Sequence, residues 1–239
     1  MDDGRAFAAM QAQVLAERYG ELSGEALLGP LIEREFAGRI ALVSSFGAEA
    51  ALLLHMVATI DAATPVLFLD TQKHFPETLA YRDRLVAQLG LADVRSLTPD
   101  AQDVAERDRD GGLWLRSPDA CCNLRKVEPL AKALAPFAAW ISGRKRFHGG
   151  ARAALPVIEL DGRHIKINPL ASWGAAQIKS EFEARGLPHH PMVADGFLSI
   201  GCMPCTTRPL RPDDPRSGRW SELEKTECGI HQSLLSSGL

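Results

Sequence analysis

Ile40-Ala-Leu-Val-Ser-Ser-Phe-Gly-Ala-Glu49, then Ala50 to Ile60, then Val66-Leu-Phe-Leu-Asp-Thr71 is the stretch that decides the fold. A short apolar run at Ile40 to Val43, a helix near Ala48 to Ile60 and a second run at Val66 to Leu69 spell strand, crossover helix, strand. That order implies a parallel sheet. Downstream the alternation continues, with a helix from Pro76 to Gly90 and strands near Asp93 to Leu97 and Ala138 to Ser142. Helices near Pro99 to Asp108 and Ala120 to Leu134 fill the gaps. Val157 to Leu160 and His164 to Ile167 flank Asp161-Gly162, a turn pair that predicts an antiparallel hairpin at the sheet edge. Upstream, Arg5 to Gly38 carries helical periodicity (Phe7, Met10, Val14, then Leu27, Leu28, Leu31, Ile32), and two leading helices are expected. Helical spacing returns from Trp173 to Arg185. Beyond it Pro, Gly, Asp and Cys dominate, and the tail reads as loop. The expected fold class is α/β, doubly wound on a mostly parallel sheet, in one domain.

At 239 residues and 46% hydrophobic composition the chain can bury one substantial core. Its net charge of −3 gives no global reason to bind nucleic acid or an anionic membrane, so any anion site must be local. The most apolar stretch, Ala50 to Ile60, is broken by His55 and is too short to span a bilayer. The opening Met-Asp-Asp-Gly has no basic leader, and a cytoplasmic protein is expected. Five cysteines, an odd number, argue against a disulfide framework and for metal or redox chemistry.

In doubly wound sheets, ligands bind beyond the carboxyl ends of the strands. Ser44, Ser45, Phe46 and Gly47 stand there after the first strand. Two hydroxyls and a glycine can surround a phosphate, although an ordinary turn capping the next helix reads the same way. Asp70 ends the second strand, where a carboxylate can accept from an adenine amine or a ribose hydroxyl, or merely cap a turn. Positive charge is supplied by Arg144, Lys145, Arg146 and Arg152 in a Gly-flanked loop after the fourth strand, and by Arg125 and Lys126.

Cys202 and Cys205 form a Cys-x-x-Cys, a spacing that chelates one metal centre. Cys121 and Cys122 are adjacent, which suits tetrahedral zinc poorly and a larger iron-sulfur cluster better. A redox pair, a four-cysteine zinc site and buried structural thiols stay open on the residues alone. Cys228 is left unpaired in Glu227-Cys228-Gly229-Ile230-His231, close to the end of the chain. A nucleophile on a terminal segment can fold over a substrate and later swing out to a partner. His231 or a basic loop could favour its thiolate, with Glu227 opposing.

Taken together, these residues resemble the assimilatory sulfonucleotide reductases, thioredoxin-dependent enzymes acting on adenosine 5′-phosphosulfate (APS) or its 3′-phosphorylated form (PAPS). The resemblance spans about Ile40 to His231. It rests on Ser-Ser-Phe-Gly-Ala-Glu at 44–49, Leu-Asp-Thr at 69–71, Phe-Pro-Glu-Thr at 75–78 and Cys-Cys-Asn-Leu-Arg-Lys-Val-Glu-Pro-Leu at 121–130. The basic loop 143–152, Gly-Cys-Met-Pro-Cys-Thr-Thr-Arg at 201–208 and Glu-Cys-Gly-Ile-His at 227–231 complete it. Each motif is weak or moderate; their order and joint presence are specific. Two positions depart from the usual wording: Gln72 replaces a common Gly after Asp-Thr, and Arg144-Lys145-Arg146-Phe147 replaces Arg-Arg-Asp or Arg-Arg-Glu.

The resemblance implies a sheet of the adenine nucleotide alpha hydrolase-like (PP-loop) type with a flexible C-terminal catalytic tail. Residues 1–38 would be helices packed on the core, 39–200 the nucleotide-binding part, and 201–239 the cluster loop and tail. It implies substrate contacts from Ser44, Ser45, Phe46, Gly47, Glu49, Asp70, Lys126, Lys145, Arg146, Arg152, Arg208 and His231. Cys121, Cys122, Cys202 and Cys205 would hold one 4Fe-4S cluster, and Cys228 would attack sulfur to give an S-sulfocysteine that reduced thioredoxin, or a glutaredoxin-like dithiol protein, releases as sulfite. The cysteine pairs favour APS; the Ser-Ser-Phe-Gly wording is that of PAPS enzymes, so PAPS or dual use is the alternative. A homo-oligomer is compatible with all of this. An ATP-dependent adenylating or tRNA-thiolating enzyme on the same sheet would need Ser-Gly-Gly-x-Asp-Ser where this chain has Ser-Ser-Phe-Gly-Ala-Glu. A non-catalytic nucleotide or metal sensor is a third reading, separated from the reductase by turnover.

Overall fold

The computed structural model describes residues 3–211, 213–221 and 225–231. Two helices, α1 (Asp3–Tyr19) and α2 (Gly24–Pro30), the latter running into a π turn at Leu31–Glu35, precede β1 (Ile40–Ser44). Then follow α3 (Ala50–Asp61), β2 (Val66–Leu69), α4 (Pro76–Leu89), β3 (Val94–Leu97) and α5 (Ala101–Arg107). Next come α6 (Leu113–Arg116), α7 (Pro118–Cys122), a π turn (Asn123–Val127), α8 (Glu128–Leu134), β4 (Ala139–Ile141), β5 (Ile158–Asp161), β6 (His164–Ile167) and α9 (Ala175–Ala184).

The six strands form one sheet in the order β3-β2-β1-β4-β6-β5. All neighbours are parallel except β5 and β6, which pair antiparallel with Asp161 opposite His164. The hairpin expected from Asp161-Gly162 is therefore present, but the two-residue loop is Gly162-Arg163, one position later. Gly162 takes φ 65°, the left-handed conformation such a loop demands of its first residue.

Strand residues alternate between two cores, as a sheet buried on both faces requires. Ile40, Leu42, Val66, Phe68, Ile141 and Ile165 face Leu15 of α1, Leu27 and Leu28 of α2, Leu52 of α3, Tyr81 of α4 and Phe182 of α9. Ala41, Val43, Leu67, Leu69 and Trp140 face Val127, Leu130 and Leu134, joined by Ile230 of the tail. Each fully buried Leu, Ile or Phe contributes about 1.5–3 kcal/mol. The leading helices therefore share the first core with the sheet.

The single helix expected over Ala120 to Leu134 is instead broken into α7, a π turn and α8, with the short α6 before it. Pro129 has no N–H for the carbonyl four residues earlier, at Arg125. The ladder widens there, and the Glu128 N–H bonds the Asn123 carbonyl five residues back. Such wide turns recur at functional sites, and this one carries Arg125 and Lys126.

From β1 the chain moves outward through β2 to β3, then returns to place β4 on the other side of β1. The switch point between β1 and β4 opens a crevice at the strands' carboxyl ends.

Candidate functional site

That crevice is a cavity of about 210 Å³, and its lining includes Ser44 at the end of β1 with Ser45, Gly47 and Glu49 beyond it, Leu69 at the end of β2, and Ser142 after β4. Six cations line it, Lys126, Arg144, Lys145, Arg152, Arg216 and Arg219, against two carboxylates, Glu49 and Glu227. A chain of net charge −3 thus concentrates positive charge at one point, a field suited to a polyanion.

The loop after β1 is held by its own atoms. Phe46 adopts φ 48°, its N–H donates to Ser44 Oγ at 3.1 Å, and its ring is buried edge-on against Phe68. A Cβ on Gly47 would lie 2.9 Å from the Ile200 carbonyl oxygen, so only glycine lets the loop approach that segment. Glu49 accepts from Lys145 Nζ at 2.8 Å and lies 3.4 Å from His148 Nε2. Burial alone would raise the Glu49 carboxyl, but Lys145 and His148 hold it at about 2. Arg144 forms an ion pair with Glu159 of β5.

A second, smaller cavity adjoins, lined by Cys121, Cys122, Cys202 and Cys205 together with Lys73, Trp114, Lys126 and Trp220. An isolated antiparallel bridge between His74 and Cys202, with the Met203 N–H on the Lys73 carbonyl at 2.7 Å, brings the Cys-x-x-Cys loop to the loop after β2. Thr71 Oγ1 lies 3.2 Å from Cys202 Sγ. Beneath, Arg125 donates to buried Asp108 at 2.7 Å and to the Thr71 carbonyl at 2.9 Å, tying the π turn to that loop. Burial pushes the Cys121 thiol up to about 11. Thiols so buried ionise readily only when a cation shares their cavity. Among the described residues no group of three or more His, Cys, Asp or Glu side chains is spaced to hold a single metal ion. Four thiols around one cavity are nevertheless a soft donor set, which fits a thiolate-ligated iron-sulfur group better than an oxygen-seeking cation.

Lys126 lines both cavities. Its Nζ is 3.6 Å from Cys228 Sγ. The described part of the tail, 225–231, lies docked: Ile230 enters the second core, and His231 stacks parallel to Trp140 at 6.2 Å between ring centroids. On β6, Lys166 sits over the same indole at 4.4 Å. A hydrogen bond with the Cys122 thiol, helped by Lys126, pulls Cys228 well below the ordinary thiol value of 9.0, against the opposing effect of burial. The same contact pushes the Cys122 thiol upward. His231 supplies no positive charge, contrary to the sequence expectation: burial, with Lys166 and Arg144 nearby, drives its pKa well down and keeps the imidazole neutral.

Of the expected substrate-contact residues, Ser44, Ser45, Gly47, Glu49, Lys126, Lys145, Arg152 and His231 line the large cavity, as does Cys228. Four do not. Phe46 packs into the core; Asp70 accepts the Gln72 N–H at 3.0 Å, capping its turn while Gln72 takes φ 59°. Arg146 is exposed and donates to the Leu155 carbonyl, and Arg208 is exposed, donating to the Asp195 carbonyl over the Phe197 ring. Arg216, Arg219, Trp220 and His148 were not singled out by the sequence reading, yet all four line the cavity. Arg216-Ser-Gly-Arg219-Trp220, two arginines three apart between the Cys-x-x-Cys and Cys228, was the available signal.

Residues 39–208 match the family described as the phosphoadenosine phosphosulfate reductase domain. The adenosine 5′-phosphosulfate reductase of Mesorhizobium japonicum is 50% identical over 239 residues, covering 100% of this chain and 92% of that protein. The phosphoadenosine 5′-phosphosulfate reductase of Gloeobacter violaceus is 43% identical, covering 91% of this chain and 92% of its own length. Among solved structures, the phosphoadenylyl-sulfate (PAPS) reductase of Candida auris in its phosphate complex superposes with a TM-score of 0.68 at 27% identity, covering 83% of this chain and 97% of that one. With a family match over most of its length and a relative that spans it entirely, the chain belongs to the phosphoadenosine phosphosulfate reductase family.

Proposed function

We propose that this chain reduces APS to sulfite and adenosine 5′-monophosphate in assimilatory sulfate reduction, in the cytoplasm, with thioredoxin or a similar dithiol protein as reductant. The observation that carries the reading is the Cys228 sulfur, 3.6 Å from Lys126 Nζ, at the edge of a cavity lined by six cations. An anionic thiolate and an anionic substrate repel each other, and only a site with this excess of positive charge can hold them together.

In the first step Cys228 Sγ attacks the sulfate sulfur. The new S–S bond forms as the S–O bond to the 5′-phosphate breaks, and the nucleotide leaves with that electron pair. Lys126, Arg216 and Arg219 neutralise charge growing on the departing phosphate, while Ser44, Ser45 and Gly47 receive the nucleotide beyond β1. Lys145 and Arg152 complete the anion site. Asp70, which caps its own turn next to the cavity-lining Leu69, is assigned to the adenosine end, whereas Arg146 and Arg208 are engaged elsewhere and have no part in the proposal. In the second step a thiol of the partner attacks Cys228 Sγ, sulfite departs with the S–S electron pair, and the partner's second thiol closes its disulfide and frees Cys228.

Cys121, Cys122, Cys202 and Cys205 would hold one 4Fe-4S cluster, supplying charge and polarisation beside Lys126 while the electrons come from the dithiol. Residues 201–239 then act as a cluster loop and catalytic tail on the nucleotide-binding part.

PAPS is the second reading, supported by Ser44-Ser45-Phe46-Gly47 and by relatives that carry the PAPS name. Intact-mass measurement after mixing the protein with APS is expected to show a sulfonate adduct in wild type and none in Cys228→Ser; sulfite release by that variant would rule the nucleophile out. Specificity constants for APS and PAPS on anaerobically purified protein decide between the nucleotides.

A further inference from the structure

Glu227 precedes the proposed nucleophile and is 9% exposed. Arg152 grips it with one edge of its guanidinium, Nε to Oε2 at 2.5 Å and Nη2 to Oε1 at 2.8 Å. Arg216 Nη2 approaches Oε1 at 3.5 Å, and the Cys228 backbone N–H donates to the same oxygen at 2.9 Å. Bidentate arginine-carboxylate pairing is among the strongest and most geometrically exacting of charged contacts. The carboxylate thus sits inside the anion site. Arg152 and Arg216 both line the large cavity, and a carboxylate on the segment that bears Cys228 already pairs with them, while Arg216 Nη2 also donates to the Thr226 carbonyl at 3.3 Å and Arg152 Nη1 lies 3.2 Å from His148 Nδ1.

We propose that Glu227 is a built-in counter-anion: with the tail docked it pairs with Arg152 and Arg216, draws Cys228 over Lys126, and competes with the incoming anionic nucleotide for those same guanidinium groups. The inference rests on reading Cys228 as the nucleophile and the cavity as the sulfonucleotide site. Its logic is that a buried Arg152 beside a partly buried Arg216 is costly without a counter-charge, and a carboxylate carried by the tail relieves that cost. A substrate able to offer the same arginines more negative charge can displace it. Glu227 is therefore a positioning residue: it acts on the reaction through Arg152, Arg216 and the Cys228 backbone.

Glu227→Gln keeps the shape and the acceptor for the Cys228 N–H but removes the charge. Binding of APS is measured in the Cys228→Ser background, where no turnover occurs, with and without Glu227→Gln. The added substitution is expected to tighten APS binding by about tenfold, the scale on which a removed competing charge acts. A residue with a merely structural role would weaken binding when lost, so unchanged or weaker binding overturns the proposal. In the chain with Cys228 intact, iodoacetamide labelling of the Cys228 peptide, followed by mass spectrometry, is expected to accelerate several-fold in Glu227→Gln and equally in Arg152→Met. The double variant should be no faster than either single one. Additive rates would mean that the two residues hold the tail independently, and would overturn it too. If Cys228→Ser binds no APS at all while the labelling results hold, the substrate assignment fails and the latch between Glu227 and Arg152 stands.

Discussion

Replacing Asp108 with asparagine tests the foundation of the cysteine cavity. The Asp108 side chain is fully buried and the Arg125 side chain is 5% exposed, with the two joined at 2.7 and 3.2 Å. The other Asp108 oxygen accepts the Leu113 N–H at 2.7 Å, so an amide, with one oxygen instead of two, cannot serve both partners. Removing one member of a buried ion pair costs about 3–5 kcal/mol, because the remaining charge is left uncompensated. Arg125 keeps its bond to the Thr71 carbonyl, which places the expected loss near the lower end, about 3 kcal/mol. Against a total stability of about 5–15 kcal/mol, that is a large fraction. In a chain of this size it corresponds to a fall in Tm of roughly 6–12 °C. Urea and thermal unfolding of wild type, Asp108→Asn, Arg125→Met and the double variant form a cycle. The double variant should lose less than the two singles summed, since removing both partners removes the stranded charge. A stability change in Asp108→Asn below about 0.5 kcal/mol, the range of ordinary surface substitutions, would refute the reasoning, as would strict additivity.

Cys202→Ala should abolish the visible absorption and the bound iron of anaerobically purified protein while leaving far-ultraviolet circular dichroism intact; full iron content in the variant would count against the assigned ligands. His190 is buried, with Nε2 3.0 Å from Thr78 Oγ1 and Nδ1 accepting the Met192 N–H, and burial lowers its pKa from 6.5 to about 4. The unfolded chain therefore takes up this proton first as pH falls, so wild type loses stability between pH 6.5 and 4 and gains nothing from this group above 6.5. His190→Gln should flatten that part of the urea midpoint against pH curve, and an unchanged slope would show that another group titrates there.

Much of the scaffold was legible because its grammar is local. Strands buried on both faces must be short apolar runs, and crossover helices must separate parallel strands; both are written in Ile40 to Leu69. The four paired cysteines and the lone Cys228 were equally plain, since their spacing differs from that of core residues. The break in the helix before Leu134 was less visible, although Pro129 was there to announce it. The loop contacts were read least well. Phe46 and Gly47 are adjacent letters in a phosphate-like loop, but only packing against Phe68 shows that one belongs to the core and the other to the crevice.

What the sequence determined by itself is the order of the main elements, the spacing of the cysteines and the family resemblance, because periodicity, turn residues and motif order depend on near neighbours. The tertiary structure alone decided which charges meet. Arg152 and Glu227 lie 75 residues apart, and Lys126 and Cys228 lie 102 apart. No local pattern encodes such pairs. They follow from strand order, which puts the ends of β1 and β4 side by side, and from the tail that packs Ile230 against the sheet, bringing one thiol to a surface of cations.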